Sequence, residues 1–465
     1  MAIFASCTEG LSTAQTSAST TVSSTTGVTA SSTTSATDPF KDVEPIEGST
    51  GLEYKLIGDA YAVVGIGTCT DKELVVGNYY NGTRVTEIRS GAFRSLDFTN
   101  VVIACGIKEI DYNAFVGTNI GSITIPRSVI EIDTHAFRGC TVTGNIKVEN
   151  GNHVYHSDGN CIIETDSRTV IKGAQNCTIP DDGSVQIIAI DAFENCKLPA
   201  IISLPSALTA IGPGAFSGTD ITSITIPSSV NAIGEYKIGG IRYSGSPFGN
   251  CAHLESVEIE KGNPKYHSEG NCIIETATKT LVYGIKSSVI PVDGSVTSIA
   301  MGAFKECLSL KNIIIPESVT TIGETAFSDC TLLENITILN GVTEIGARAF
   351  HGCTRLESIT IPKGVMTIED GTFYDCTNLT NVTIPEGVTV IDESAFRYCS
   401  SLTSVALPTS VTKISSFAFC NCTALSGVYF AGTKAEWEAI SKGEYWDGNT
   451  ADCTVYCIDG EIDKE

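Results

Sequence analysis

A phenylalanine marker recurs along most of this chain, and its periodicity limits the fold more than any other feature. The marker, Ala-Phe or a close variant, occurs twelve times, and the last six copies follow one another at a constant step of 23 residues. So short a unit cannot bury an apolar face alone, so successive units must stack into one continuous core. The twelve markers are Phe93, Phe115, Phe137, Phe193, Phe216, Phe248, Phe304, Phe327, Phe350, Phe373, Phe396 and Phe419.

Within each unit, apolar residues stand at fixed distances from the marker. In the unit of Phe304, Leu310 lies six residues on, Ile313 and Ile315 lie nine and eleven on, and Pro316 follows. Alternating apolar residues predict a strand with one buried face, and the proline ends it. A second short extended segment is expected further along, and a single helical turn at Ala-Phe-x-x-Cys. The sequence therefore predicts a repeat solenoid with short parallel β-strands and one short helical turn per repeat.

The repeat resembles a known family. Phe-x-x-Cys-x-x-Leu-x-x-Ile-x-Ile-Pro-x-x-Val-x-x-Ile-x-x-x-x-Phe, present from Phe350 to Phe373, is similar to the BspA-type leucine-rich repeat, and the similarity extends over roughly residues 52 to 430. Residues 65–71 and 80–88 resemble the N-terminal cap of such proteins, and residues 429–440 resemble their closing segment. The resemblance implies a bacterial or protist surface protein that engages other proteins.

Composition and periodicity divide the chain into successive segments. Between Ser12 and Thr37, 18 of 26 residues are Ser or Thr, a composition that predicts a disordered tether. The preceding run Phe4-Ala5-Ser6-Cys7 resembles the end of a bacterial lipoprotein signal, which makes Cys7 a candidate for lipidation; the alternative is an ordinary cysteine in a tail. The expected segments are 1–11 (signal remnant), 12–45 (tether), 46–92 (N-terminal cap), 93–430 (leucine-rich repeat solenoid) and 431–465 (C-terminal cap and tail).

Charge and hydropathy exclude several classes of partner. The net charge is −24, from 53 acidic and 29 basic residues, and such a chain repels nucleic acid and anionic lipid. No apolar run approaches the roughly 18 residues that a transmembrane helix requires. We therefore expect neither a nucleic-acid partner nor a transmembrane segment.

Cysteines form a column in the repeat, three residues after the marker. Parallel side chains on stacked turns keep Cβ atoms too far apart for a disulfide, so these thiols are expected to be free, buried and structural. A column also does not converge four ligands on one point, so no metal site is expected. The column comprises Cys140, Cys196, Cys251, Cys307, Cys330, Cys353, Cys376, Cys399 and Cys422.

Two near-identical inserts, near residues 148–180 and 259–291, interrupt the repeat. Each reads as a β-hairpin spliced into the solenoid. Each also contains a histidine, an acid and a cysteine, which suggests an alternative function as a hydrolase or other enzyme. A duplicated structural unit explains the two copies better, because catalysis would need a positioned third group. The residues concerned are His156, Asp158 and Cys161 in the first insert and His267, Glu269 and Cys272 in the second.

Two sets of residues are candidates for binding a partner. Outward strand positions, eight and ten residues after the marker, form mildly polar columns that end at Tyr429. An insertion after Ile233 carries Tyr236, Arg242 and Tyr243, residue types enriched in binding hot spots; alternatively, this loop folds back over an adjacent hairpin. The column candidates are Asn335, Thr337, Ser358, Thr360, Asn381, Thr383 and Tyr429.

The sequence thus predicts a binding protein without catalytic activity or cofactor. It would be extracellular or at the cell surface, in a bacterium, with an adhesion-like role towards protein or glycan partners on a cell or host matrix surface. Trp437 is expected to cover the open end of the solenoid. Cys453 and Cys457 are close enough in sequence to cross-link in an oxidising setting, but their spacing does not decide it.

Limited proteolysis tests the predicted division of the chain. A protease should remove the first forty or so residues and leave one stable core, because unstructured termini are cleaved first. Gel electrophoresis with mass spectrometry of the products measures this. Discrete folded fragments of about 150 residues would instead indicate separate domains.

Overall fold

The computed structural model describes residues 43–238, 241–451 and 453–462. Cys7 and most of the predicted tether lie outside these residues. The described chain forms a β-solenoid in which each regular repeat adds a strand to each of two sheets. One strand is longer and belongs to what we call the long-strand sheet; the other has two residues and belongs to the short-strand sheet. The predicted repeat solenoid is confirmed.

The first part of the solenoid contains the N-terminal cap and the first three markers. Its cap strands β1 and β2 pair antiparallel, and β2, β5, β7 and β9 then continue as a parallel sheet. The strands are β1 (Glu53–Ile57), β2 (Ala60–Gly65), β3 (Glu73–Val76), β4 (Tyr79–Tyr80), β5 (Thr83–Ile88), β6 (Asp97–Ile103), β7 (Glu109–Ile110), β8 (Asn119–Ile125), β9 (Glu131–Ile132), β10 (Thr141–Val142) and β11 (Ile146–Val148).

The middle part begins with the first insert and holds the next three markers. Its strands are β12 (Tyr155–Asp158), β13 (Cys161–Glu164), β14 (Thr169–Gly173), β15 (Ile187–Ile188), β16 (Ile201–Ser203), β17 (Ala210–Ile211), β18 (Ser223–Ile226), β19 (Ala232–Ile233), β20 (Glu235–Ile238), β21 (Ile241–Ser244) and β22 (Ser256–Ile259). Strands β20 and β21 form a separate antiparallel hairpin.

The last part begins with the second insert and contains the six evenly spaced repeats. Its elements are β23 (Tyr266–Glu269), β24 (Cys272–Glu275), β25 (Thr280–Gly284), β26 (Ser298–Ile299), β27 (Asn312–Ile315), β28 (Thr321–Ile322), β29 (Asn335–Ile338), β30 (Glu344–Ile345), β31 (Ser358–Thr360), β32 (Thr367–Ile368), β33 (Asn381–Thr383), β34 (Val390–Ile391), β35 (Ser404–Leu407), β36 (Lys413–Ile414), β37 (Gly427–Phe430), α1 (Lys434–Ala439), β38 (Ser441–Lys442), β39 (Thr454–Cys457) and β40 (Gly460–Ile462).

The marker phenylalanines stack into the core of the solenoid. From Phe304 to Phe419, ring centroids of successive markers lie 4.9 to 5.5 Å apart, and their planes differ by 3 to 12°. This separation is close to the spacing of about 4.8 Å between neighbouring strands, so each ring repeats with the backbone. Every ring in this run is at most 1% exposed.

The predicted helical turn at each marker is wrong. The segment is a run of turns, and in all twelve repeats the residue two positions after the marker has a positive φ, as at Gly352 (69°) and Asp375 (59°). A left-handed residue ends a right-handed helix and reverses the chain. Nine of these twelve residues are Gly, Asn or Asp, the types that adopt this conformation most readily.

The two inserts are three-stranded sheets rather than simple hairpins. In the first, β12, β13 and β14 pair antiparallel, and β14 then joins the short-strand sheet through β15. Strand β13 is buried on both faces: Ile162 packs into the apolar cluster before the insert, and Ile163 into the cluster after it. The second insert repeats this arrangement with Ile273 and Ile274. Each insert therefore partitions the core.

A glycine at the end of each insert provides the surface on which the next marker packs. A Cβ at Gly173 would lie 2.3 Å from the ring of Phe193, and one at Gly284 would lie 2.0 Å from the ring of Phe304. Neither ring could keep its place beside a larger residue, since real Cβ atoms do not approach so closely. The insert backbone thus takes the place of a preceding phenylalanine.

The column cysteines link each turn to the turn before it. The thiol of Cys353 donates a hydrogen bond to the carbonyl of Phe327 at 3.2 Å, and Cys330, Cys376, Cys399 and Cys422 repeat this contact at 3.0 to 3.2 Å. All nine column cysteines are free thiols. At one position where threonine replaces cysteine the hydroxyl takes over this role: Thr118 Oγ1 donates to the carbonyl of Phe93 at 2.5 Å. At the other, Thr219 Oγ1 donates to the carbonyl of its own marker, Phe216, at 2.8 Å.

The C-terminal end of the core is covered by aromatic residues. Helix α1 begins with a capping box formed by Thr433 and Glu436, and it buries Trp437. The Trp437 ring lies 5.5 Å from Phe430 and 5.8 Å from Trp446, which in turn meets Phe419 edge to face. Cys457 is a free thiol in the structure, so it is not bridged to Cys453.

Substitution of Cys353 should separate packing from hydrogen bonding in the column. Cys353→Ala removes both the sulfur and its donor and should lower the free energy of unfolding by about 2 kcal/mol, whereas Cys353→Ser keeps a donor and should cost about 1 kcal/mol. Urea denaturation measures both, with Cys457→Ser as the control at a half-buried thiol. Equal losses for the Ala and Ser variants would show that the hydrogen bond contributes nothing.

Candidate binding surface

The outer face of the long-strand sheet carries the column residues singled out in the sequence. In each repeat the two apolar strand residues point into the core, which leaves the intervening positions at the surface. Parallel pairing keeps equivalent residues in register, as with Ser358 beside Asn381 and Thr360 beside Thr383. All seven column candidates are exposed on this face: Asn335, Thr337, Ser358, Thr360, Asn381, Thr383 and Tyr429.

The surface ends in two stacked tyrosines. Tyr429 on β37 and Tyr456 on β39 are register partners, with ring centroids 4.9 Å apart and planes within 13°. Tyr429 is 52% exposed. An open groove of about 500 Å³ lies beside the pair and is lined in part by Glu386, Pro408 and Ile458. The sequence placed Tyr429 in its column, but the pair with Tyr456 lies beyond the last marker and was missed.

The insertion after Ile233 forms the β20–β21 hairpin, which folds back on the solenoid. Tyr236 packs against the middle apolar cluster, and burial raises the pKa of its hydroxyl, which bonds to Thr169 of the first insert. The ring of Tyr243 lies 5.1 Å from that of His135. The structure describes only the backbone of Arg242. Tyr236 and Tyr243 are thus engaged within the chain, and the alternative, a loop that covers an adjacent insert, describes them better than a docking loop.

The histidine, acid and cysteine of each insert do not converge on a site. His156 Nδ1 bonds to Thr165 Oγ1 at 2.9 Å, and the equivalent His267 Nδ1 bonds to Thr276 Oγ1 at 2.8 Å. Cys161 is fully buried, and its pKa is raised by the hydrogen bond with Cys177 and by burial, the opposite of an activated thiol. Among the described residues, no cluster of His, Cys, Asp and Glu is arranged to hold a metal ion.

A partly buried group of charges next to the first insert was not anticipated. Asp191 Oδ2 lies 3.5 Å from Arg138 Nε, and Glu194 accepts a hydrogen bond from the backbone of Gly139. Burial, with the nearby charge of Glu194, raises the pKa of Asp191 to about 6. Lys172 is 1% exposed, and its ammonium has no hydrogen-bond partner within the described structure. The sequence offers no signal for this group, because the insert separates its members along the chain.

An aromatic row along one edge of the last repeats was also missed. His351 stacks on Tyr374 at 5.0 Å, and Tyr374 meets Tyr398 edge to face at 5.3 Å. The guanidinium of Arg397 lies between the rings of Tyr398 and Phe417, 5.1 and 5.0 Å from their centroids. These residues occupy variable positions next to the marker, so aligning the repeats by their markers would have revealed the row.

The raised pKa of Asp191 should make stability depend on pH. Between about pH 4 and pH 6 the folded state holds this proton more tightly than the unfolded state, so the free energy of unfolding falls as the pH rises through this window. A shift from 3.8 to about 6 corresponds to up to about 3 kcal/mol. Chemical denaturation from pH 4 to pH 7.5 measures the slope, which Asp191→Asn should reduce and the exposed control Asp71→Asn should not. An unchanged slope in Asp191→Asn would contradict the assignment.

Solved structures with similar folds are leucine-rich repeat proteins of bacteria. A leucine-rich repeat protein from Eubacterium ventriosum is 22% identical, with a TM-score of 0.51 over 78% of this chain and 87% of that chain. A leucine rich cell surface protein from Faecalibacterium prausnitzii is 23% identical, with a TM-score of 0.48 over 86% of this chain and 97% of that chain. No curated protein matches the sequence significantly. The first of these likenesses shows the leucine-rich repeat fold.

A family model agrees with the repeat read from the sequence. The model for the BspA type leucine rich repeat region, with six copies, matches residues 80–173, 172–269 and 297–426, which together make up more than half of the chain. All twelve phenylalanine markers lie within these segments: three in 80–173, three in 172–269 and six in 297–426. The chain belongs to the BspA-type leucine-rich repeat family.

Proposed function

We propose that this protein is a cell-surface or secreted bacterial protein that binds partners on a cell or matrix surface in an adhesion-like role, without catalysing a reaction. The observation that supports this most directly is the outer face of the long-strand sheet. From β31 to β39 the strands pair in parallel register, so the same outward positions recur on every turn. A repeated, exposed face of this kind suits an extended macromolecule, protein or glycan, better than a small substrate.

The location at the surface has separate support. The family favours a location at the cell surface. Among the bacterial leucine-rich repeat proteins of similar fold, one is described as a cell surface protein. In the parts of the chain that the structure describes, no helix has the length and hydropathy to cross a membrane. Lipidation of Cys7 would provide an anchor, and it remains a prediction from the sequence.

The absence of catalysis is proposed from the geometry of the inserts. The histidine of each insert is engaged by a threonine, and the cysteine is buried with a raised pKa. A nucleophilic site would need an accessible thiolate within reach of its base. The duplicated inserts instead act in the fold, as partitions between segments of the core.

A charge placed on the long-strand face tests this function. Thr360→Glu puts a carboxylate at the centre of the proposed contact surface, where it must lose its water when a partner binds. Binding of the full-length protein to immobilised extracellular matrix from cultured epithelial cells should fall at least tenfold, as measured by biolayer interferometry. The matched control is Thr367→Glu, an equivalent change on the short-strand sheet, which should leave binding unchanged.

Two results would contradict the proposal. The first is that the unmodified protein does not bind the matrix preparation at all. The second is that Thr360→Glu and Thr367→Glu weaken binding equally, since binding would then not depend on the long-strand face. Thermal unfolding of both variants, expected to match that of the unmodified protein, separates lost contact from lost structure.

A further inference from the structure

The two outward columns of the long-strand sheet hold no charged residue from β27 to β39, in a protein that is otherwise strongly acidic. The chain has 53 acidic residues and a net charge of −24. Nevertheless, the two outward columns from β27 to β39 contain only neutral residues, although carboxylates flank them: Glu461 on β40 is the register partner of Tyr456, and Glu386 lines the groove beside the tyrosines. These columns consist of Asn312, Ile314, Asn335, Thr337, Ser358, Thr360, Asn381, Thr383, Ser404, Ala406, Gly427, Tyr429, Thr454 and Tyr456.

The absence of charge indicates the chemistry of the partner. A charged side chain beneath a bound neutral molecule would lose its hydration without gaining an ion pair, a cost of several kcal/mol. A charged partner, in contrast, is usually met by complementary charges that steer its approach. The electrostatic match for this face is therefore a molecule without charge, which favours a neutral glycan over a charged protein surface or an anionic polysaccharide.

The tyrosine pair offers this face a stacking platform. The parallel rings of Tyr429 and Tyr456 lie one strand apart, 4.9 Å between centroids, at the end of the columns. Aromatic faces carry partial negative charge, which attracts the slightly positive C–H groups that cover one side of many sugar rings. At the other end of the columns the corresponding residues are Ile314 and Thr337, so the platform is confined to the last turns.

The glycine Gly427 leaves room for the two rings to stack. Gly427 occupies the column position that Asn, Ser or Thr fills in the other repeats, and a Cβ there would lie 3.3 Å from the Tyr429 ring and 3.4 Å from the Tyr456 ring. A larger residue would crowd both rings, because contacts this short are tighter than most Cβ atoms make. The arrangement is thus ready before a ligand binds, which reduces the entropy lost on binding.

Polar groups extend from the platform along the columns. Thr383 and Asn381 lie two strands before Tyr429 and are exposed, with hydroxyl and amide groups that can donate and accept hydrogen bonds. Successive strands offer such groups at intervals of about 4.8 Å, similar to the length of one sugar unit in an extended polysaccharide. The open groove beside the pair, about 500 Å³, provides room next to the stacked rings.

We propose that Tyr429 and Tyr456 are the stacking residues of a binding site for a neutral polysaccharide, whose chain lies across the strands of the long-strand sheet. Sugar rings pack on the tyrosines, and hydroxyl groups further along the chain bond to the Asn, Ser and Thr columns. This inference rests on the proposed binding function and names the class of partner at one end of the surface.

Affinity electrophoresis of the full-length protein tests the site. Native gels containing β-glucan, mannan or galactomannan are compared with a gel containing heparin and with a gel without polysaccharide. At least one neutral polysaccharide should retard the protein, and heparin should not. Tyr429→Ala should weaken the apparent affinity at least tenfold, because Tyr429 is the more exposed of the two rings and offers a ligand more stacking area. Tyr445→Ala is the matched control, a tyrosine that is 68% exposed and also stacked, on Phe417, at another surface.

Each outcome decides for or against the site. The proposal is overturned if none of the neutral polysaccharides retards the protein, if heparin does so as strongly, or if Tyr445→Ala loses as much affinity as Tyr429→Ala. Thermal unfolding of both variants checks that they remain folded. The matrix-binding measurement is a separate readout: matrix binding without polysaccharide binding refutes the glycan site and leaves the proposed function standing, and loss of both refutes both.

Discussion

Stacking of one turn on the next is the interaction on which the rest of this structure depends. A single repeat of 23 residues has no interior, so the inward-facing apolar side chains are buried by the neighbouring turns. Two contacts repeat along the axis: marker rings 4.9 to 5.5 Å apart from Phe304 to Phe419, and thiols that bond to a carbonyl of the preceding turn. The first adds apolar burial, and the second satisfies a polar group inside the core.

The inserts show how a stacked core tolerates interruption. Each replaces one phenylalanine with the backbone of a glycine, Gly173 or Gly284, and divides the apolar core with a strand buried on both faces. The first insert has a more polar environment than the second, because Lys172 occupies the place that Tyr283 takes in the other copy. The same local design therefore accommodates an ammonium group in one copy and an aromatic ring in the other.

Regular stacking also determines what the surface can present. Because strands pair in register, one outward position becomes a column, and a choice of residue type is repeated over many turns. From β27 to β39 the columns contain no charged residue, and the last turns change from threonine to tyrosine. An extended partner that contacts several turns would gain many weak, similar interactions, whereas the tyrosine pair marks one end of the surface as different from the rest.

The sequence by itself determined the features that repeat. Strand positions, the marker stack and the buried cysteines could be predicted because each pattern recurs many times, and each contact joins equivalent residues in adjacent turns. The helical turn was predicted wrongly, although the Gly, Asn and Asp residues after the markers were visible. Only the tertiary structure showed where the β20–β21 hairpin lies, that Asp191 meets Arg138, and that Tyr456 stacks on Tyr429. These contacts occur once each and join segments that are distant in the chain, so no periodicity records them.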